Sequence, residues 1–582
     1  MKKQRELSEN DMETYSNKHY PVREGLGLIT IKGMLARSAG LYPYKTALQI
    51  RRGSDFYQVT YKDLKERTEQ LASGLAQKGI KHGDKVAIIG ENCPEWVESY
   101  IAVASLGAIL VPLDTQLKAQ EIRHILTDSE AVALIASNNF KEVTDEAAGK
   151  LPSLKKTFSM NNLSSLYEPP EPKTLKRQVQ LDDLAAVIYT SGTTGQSKGV
   201  MLSNRNIMSD VDGSYQVFDH DHHDNFISVL PLHHTFEATA GMLVPLYVGA
   251  TITYAQSLKS RDIINDIRDS QATMMVGVPL LFEKMYQGIM RAVKEKPLLT
   301  RMAFSTSNGI VKSIKSLTGK KAGGKVFHSL REKAGMSSLR LLVSGGAALN
   351  VEVGKGFETL GFEIVQGYGL TESSPVLTIN TVKNPDHASV GAPITCVELK
   401  ILEPDANGIG EIAARGPNVM LGYYRNPKAT EAVIRDGWLL TGDLGYIDQR
   451  GCLFITGRAK NLIVSAAGKN IYPEEIEAQL LGSPYIAEVL VVGEKNPQTD
   501  REEVHAMIYP NYEAFDEYAA RHKMTMDTAQ IEKILKDEVK HQCGHLADYK
   551  RVKHFSVREE EFPKTTTRKI KRYLFVGKKV NV

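Results

Sequence analysis

From Lys85 to Ser137 the chain alternates short β-type runs with helical ones: KVAIIG (85–90), WVESYIAVASLG (96–107), AILVPLD (108–114), KAQEIRHILTDSE (118–130) and VALIAS (132–137). Strands that alternate with helical segments read as βαβ units, so an α/β architecture with largely parallel sheets is expected. A single core stops growing at roughly 250–300 residues. At 582 residues the chain is therefore expected to form two or more domains.

Composition narrows the class of function. Hydrophobic residues make up 42% of the chain and charged residues 24%, values ordinary for a folded protein with a large core. The formal net charge is only +4, from 72 Lys and Arg against 68 Asp and Glu, which gives no argument for nucleic acid. Cys93, Cys396, Cys452 and Cys543 stand singly, without the spacing of a zinc site or a disulfide framework, so a reducing cytoplasmic setting is expected. The polar start MKKQRELSENDMETYSNKHY lacks a secretory apolar run. The longest apolar stretch, Ile101 to Leu113, falls short of the ~20 residues of a membrane span.

Further along, the polar, proline-bearing stretch 160–178 is expected to be an exposed connection, and KSIKSLTGKKAGGK (312–325) a solvated loop. Beyond about residue 456 the texture changes. Strands AEVLVVGE (487–494) and EEVHAMIYP (502–510), then a helical TMDTAQIEKILKDEVKHQC (525–543), suit a small α+β domain.

The densest chemical signal is YTSGTTGQSKGVMLS, Tyr189 to Ser203. The strand-like LAAVIYT leads into Gly192, Gly195 and Gly199, which permit close backbone approach, with hydroxyls at Thr190, Ser191, Thr193 and Thr194 and a cation at Lys198. A phosphate fits that donor set. A Walker A loop does not, because Ser197 precedes the lysine and Gly199 follows it where that motif needs Gly and Ser/Thr. This failure disfavours a P-loop motor or GTPase.

TSGTTGQSKGV resembles the phosphate loop of the acyl-adenylate-forming (AMP-binding) superfamily, and further motifs follow in the family's order from roughly residue 30 to the end. The resemblance is greatest to long-chain fatty acyl-CoA synthetases. QGYGLTESSP (366–375) matches the second nucleotide motif, which would set Tyr368 on adenine, Thr371 at the α-phosphate and Glu372 on Mg²⁺. A carboxylate oxygen suits that hard cation. In GWLLTGDLGYID (437–448), Asp443 matches the ribose-binding acid. In GRAKNLIVSAAGKNIYPEEIE (457–477), Arg458 matches the ribose-contacting arginine, Lys460 the hinge, and Gly468 with Lys469 the loop that swings towards the thiol acceptor. SGGAAL (344–349) resembles the adenine-pocket segment, which implicates Gly346 and Ala347. In FPKTTTRKIKR (562–572), Lys569 falls on the catalytic lysine, although Arg568 stands where the family usually has Gly.

The fold implied by the resemblance is a large N-terminal domain (1–457) of α/β subdomains with a β-barrel portion, plus a small mobile α+β C-terminal domain (458–582). The implied reaction is ATP-dependent activation of a fatty acid through an acyl-adenylate. Transfer to CoA then forms a carbon–sulfur bond. ATP, Mg²⁺ and CoA are the implied cofactors, and an acyl carrier protein is the alternative acceptor. In LPLHHTFEATAGMLVPLYVGATI (230–252), His234 takes the usual histidine position and is assigned as acyl-pocket wall. HHTF lacks the Asp that would pair with an amino acid's ammonium group. A basic C-terminus (Lys569, Lys571, Arg572, Lys578, Lys579) is read first as serving the nucleotide and CoA phosphates or as a solvated face, with a peripheral contact to anionic headgroups at the inner membrane face as the alternative. The rival from another class is a non-catalytic nucleotide-binding homologue, against which the retained Lys198, Glu372, Asp443, Arg458 and Lys569 argue.

Overall fold

The computed structural model of the chain describes all residues except 1–12, 18–22, 150, 171–177, 191–196, 319–321, 384, 465–468, 496–501, 565–569 and 576–582. Two large sheets dominate. One orders its seven strands Gly422–Tyr423, Lys198–Ser203, Leu184–Thr190, Ile109–Pro112, Lys85–Ile89, Ala133–Ala136 and Lys156–Ser159. Its last five are parallel, as the alternating sequence requires. The strands Lys85–Ile89, Ile109–Pro112 and Ala133–Ala136 are apolar throughout or nearly so, because helices cover both faces and no solvated side exists to select alternation.

The second sheet has nine strands. At its centre Thr251–Tyr254, Asn225–Ser228, Met274–Gly277, Leu341–Ser344 and Glu363–Gly369 run parallel. The predicted helices lie at Pro94–Ser105 and Ala119–Asp128, the first opened by a proline in its first turn and the second by Glu121 bonding back to the Lys118 amide. A third, antiparallel sheet of five strands (Glu398–Leu402, Gly410–Arg415, Ile434–Arg435, Trp438–Ile447, Leu453–Arg458) stands where the barrel portion was expected. Beyond it, Ile486–Lys495, Glu502–Pro510 and His554–Val557 form a three-stranded sheet. That sheet has an apolar cluster of its own around Ile476, Val491, Phe515 and Leu535. Asp527 caps the helix Thr528–Gln542 by accepting from the Gln530 amide.

Two sequence expectations need correction. Met160–Leu166 is a short 3₁₀ segment, not an open connection, because Met160, Leu163 and Leu166 recur every third residue and bury one edge in the main core. Within 312–325, Lys312 to Thr318 completes the long helix Leu298–Thr318 rather than a loop. Val311 and Phe304 dock that helix on the core and Lys315 donates to Glu358 at 2.8 Å, so packing outweighs the Lys/Gly/Ser composition.

Candidate active site

In open α/β sheets, ligands bind beyond the carboxyl ends of the strands. Here Leu184–Thr190 ends at Thr190, Leu341–Ser344 runs into Gly345–Ala348, and Glu363–Gly369 runs into the turn Thr371–Ser373. All three ends open on one cleft of about 3110 Å³. A pocket for one small ligand is typically below roughly 1,000 Å³. The excess leaves room for a nucleotide together with a second substrate.

The firmest constellation is at Asp443. The antiparallel ladder sets it directly across from Arg458, whose Nε lies 2.8 Å from Oδ1. The Tyr368 hydroxyl donates to Oδ2 at 2.8 Å. Three sequence-distant residues thus meet at one carboxylate, which is 4% exposed. Its amide is steadied by the Thr441 hydroxyl at 3.1 Å, and Gly442 between them has φ +70°, a conformation that favours glycine. Burial, then the adjoining Asp443, raises the Tyr368 hydroxyl pKa, so Tyr368 stays a donor.

The second constellation is at Glu372. The Tyr423 hydroxyl donates to Oε1 at 2.8 Å, and the Met420 amide donates to the Glu372 carbonyl at 2.8 Å. The Lys198 ammonium stands 5.0 Å above the Tyr423 ring, which links the lysine after the glycine loop to the acid 174 residues on. The Thr371 and Thr235 hydroxyls approach to 3.5 Å. These oxygens are the donors a hard divalent cation prefers, so the residues fit Mg²⁺. Thr190 pairs with Lys198 across an antiparallel ladder, so Lys198 opens the strand Lys198–Ser203 where the Walker pattern would have a helix.

Gly346 has φ +84° and lines the cleft with Ala347. The Gln366 side chain fixes that segment, donating to the carbonyls of His387 and Ser389 at 2.7 Å while accepting from the Leu349 amide at 3.1 Å. His234 is a wall residue, its ring centroid 4.3 Å from that of buried His233. Lys460 lines the cleft from the turn Ala459–Asn461, and Lys469 sits over the Tyr549 ring at 4.7 Å. Ser191, Gly192, Thr193, Thr194, Gly195, Gly468 and Lys569 lie outside the described residues. Lys564, near Lys569 in sequence, is held by Glu488 and by Glu561.

The family model of the AMP-binding enzymes matches residues 35–424, and that of the AMP-binding enzyme C-terminal domain matches 475–569. The chain belongs to the AMP-binding enzyme family. It is 31% identical over 470 residues to a feruloyl-CoA synthase of Amycolatopsis sp, covering 79% of this chain and 85% of that protein. It is also 31% identical over 494 residues to the long-chain-fatty-acid–CoA ligase FadD15 of Mycobacterium tuberculosis, covering 80% of each. Among solved structures, the Bacillus subtilis O-succinylbenzoate CoA synthetase in complex with ATP and magnesium superposes with a TM-score of 0.72 at 26% identity, over 93% of this chain and 98% of that one. The fold is therefore that of the adenylate-forming enzymes, and the chain is of their acid–CoA ligase kind.

Sequence reasoning missed several residues of this AMP-binding site. Tyr423 and Thr235 each act through a single hydrogen bond to a motif residue, and only the hydroxyl-bearing GYY after the predicted strands could have flagged the first; Gln366 opens a motif, but its three bonds to Leu349, His387 and Ser389 are not local. Glu237, in HHTFE, is fully buried, and burial pushes its carboxyl up to about 8.

Proposed function

We propose that this enzyme activates a fatty acid with ATP and transfers the acyl group to CoA. The observation that carries the reading is the course of the cleft past His234: its walls there are Phe218, Phe226, Met274, Val276, Val343 and Val244, an apolar arm beside the nucleotide-side residues. An acyl chain gains about 0.8 kcal/mol for each methylene moved from water into such a lining. The similarity to FadD15 points the same way.

In this reading the carboxylate attacks the α-phosphorus of ATP and pyrophosphate leaves. Uphill thioester formation is thereby split into two feasible steps, since AMP is a better leaving group than hydroxide. Asp443 and Arg458 hold the ribose; each carboxylate oxygen engaged by Arg458 or Tyr368 keeps a lone pair for a ribose hydroxyl. Glu372 would hold Mg²⁺, which neutralises phosphate charge when bound, and Lys198 faces the departing pyrophosphate. Thr371 contacts the α-phosphate, and Lys569 bridges it to the carboxylate. The residues from 458 onward form a domain that rotates about Lys460, first presenting Lys569 and then clearing room for the thiol with the Gly468–Lys469 loop.

A second reading rests on Ser214 and His220. Both are buried on the arm, and the Ser214 hydroxyl and His220 Nε2 find no partner among the described residues. They would suit a hydroxylated aryl acid, as the similarity to a feruloyl-CoA synthase also suggests. Pyrophosphate release across saturated fatty acids and hydroxycinnamates, with CoA, with acyl carrier protein and with neither, separates these readings. Release with fatty acids that turns over only with CoA is expected. Turnover with hydroxycinnamates alone would replace the fatty-acid reading, and turnover with carrier protein alone would replace CoA.

A further inference from the structure

The segment 279–336 carries twelve Lys and Arg against three acids, a net +9 in a chain whose total is +4, so the rest of the molecule is net −5. Its main element is the helix Leu298–Thr318. One face of that helix docks on the core through Phe304 and Val311. The opposite face is apolar where solvent would select charge. Leu299, Met302, Ile310 and Leu317 lie within one 100°-wide stripe at helical spacing, together with the small uncharged Ala303, Thr306 and Ser313. Leu299 and Leu317 are 81% and 85% exposed, and Met302 and Ile310 are more than half exposed. Leu298 adds a fifth exposed apolar side chain at the start of the helix, and Arg301 and Lys312 are exposed cations further round the helix on one side of the stripe.

Scattered exposed leucines are ordinary, but an exposed stripe of large apolar residues with no charge in it, inside a segment of net +9, is not. We propose that the helix Leu298–Thr318 docks the enzyme on an anionic lipid surface, with its stripe lying in the headgroup boundary and the surrounding cations on lipid phosphates. An interfacial helix needs both parts, since apolar insertion supplies a short-range hold and basic residues near the surface add roughly 1 kcal/mol each. Charge complementarity favours lipid over a second copy of this chain, because two +9 segments would repel at the contact. No helix among the described residues is long and apolar enough to cross a membrane, so contact would be from one side. The neighbouring helix Pro279–Lys294 packs against Leu298–Thr318 and also contributes Glu283 to the cleft wall, which sets the docking face beside the active-site cleft. The inference stands apart from the identity of the acid.

The test is co-sedimentation of the full chain with vesicles of phosphatidylcholine containing about a third phosphatidylglycerol, and with phosphatidylcholine alone. Binding to the anionic vesicles is expected, weakened by about 0.5 M salt. The triple substitution Leu299→Ser/Ile310→Ser/Leu317→Ser should weaken it about tenfold or more. Arg301→Glu/Lys312→Glu should do likewise on anionic vesicles only. All five positions are exposed, so thermal unfolding should be unchanged, and the charge variant serves if the triple variant folds poorly. Absence of binding at low salt, or binding by both variants as tight as the parent's, overturns the proposal. So would sedimentation velocity showing a dimer that only the stripe variant dissociates, with vesicle binding intact; the stripe would then face a second copy.

Discussion

At Asp443 a single carboxylate joins two motifs, Tyr368 from one and Arg458 from another. Tyr368→Phe removes one charge-assisted hydrogen bond, worth about 1.5 kcal/mol, and frees the carboxylate to turn. Steady-state pyrophosphate release should show KM for ATP rising about tenfold, with kcat changing less. An unchanged KM would remove Tyr368 from the ribose side of the site. Glu237 supports a pH prediction. Its folded pKa, near 8, lies above the roughly 4.3 of an unfolded glutamate, because burial disfavours the charge by more than the hydrogen bond from the Ser228 hydroxyl favours it. Between those values the folded state holds a proton that the unfolded state has lost. Stability conferred by the neutral acid is thus full below about pH 4 and falls as pH rises towards 8. Glu237→Gln should flatten this slope, so that the variant gains about 3.5 kcal/mol on the parent between pH 5 and pH 8 in parallel denaturant titrations. Parallel curves would show that Glu237 is ionised in the fold.

The strand Glu363–Gly369 and the turn after it carry Tyr368, Thr371 and Glu372, and one glycine sets their approach to the next strand. A Cβ on Gly369 would lie 1.8 Å from the Pro375 carbonyl oxygen, a backbone atom that cannot swing aside. Gly369→Ala should therefore cost about 3 kcal/mol or more of stability, and the fraction that folds should bind ATP poorly because the turn is displaced. Chemical denaturation reads the first effect, and a variant within about 0.5 kcal/mol of the parent would mean that the strand pair relaxes freely. Elements also account for where sequence reading succeeded. The strands Lys85–Ile89, Ile109–Pro112, Ala133–Ala136 and Leu184–Thr190 and the helices Pro94–Ser105 and Ala119–Asp128 lie within a few residues of their expected bounds, since period and caps are local properties. The helix Leu298–Thr318 was partly misread because its C-terminal turns are held by Glu358, forty-three residues away.

For the molecule as a whole, the proposed cycle separates two half-reactions by the position of the residues after Arg458. Lys569→Ala should lower adenylate formation by about a hundredfold or more, the usual worth of a charge placed at a transition state, while thioester formation from supplied acyl-adenylate stays near the parent rate. Single-turnover assays of each half-reaction decide this, and equal losses in both would argue against two arrangements. The cleft is lined both by the two large sheets and by the C-terminal region, including Lys564, Lys571 and Arg572. Arg572 is bonded to Glu477 and donates to the Val491 carbonyl at 3.0 Å, so these basic residues are partly structural. The basic C-terminus, for which a membrane contact was the alternative reading, has a stronger counterpart in 279–336, where charge coincides with an exposed apolar stripe.

The sequence alone determined the α/β class and the order of the nucleotide motifs that carry Glu372, Asp443 and Arg458, because periodicity and short motifs are written in consecutive residues. Only the tertiary structure decided that Tyr423 holds Glu372, that Lys198 stands over Tyr423, and that Phe218, Phe226, Met274 and Val343 line the same cleft as His234. It also decided that a lysine-rich stretch is helical with an unburied apolar face. Each of these depends on residues far apart in the chain meeting at the ends of parallel strands, and no local pattern encodes which strand ends will be neighbours.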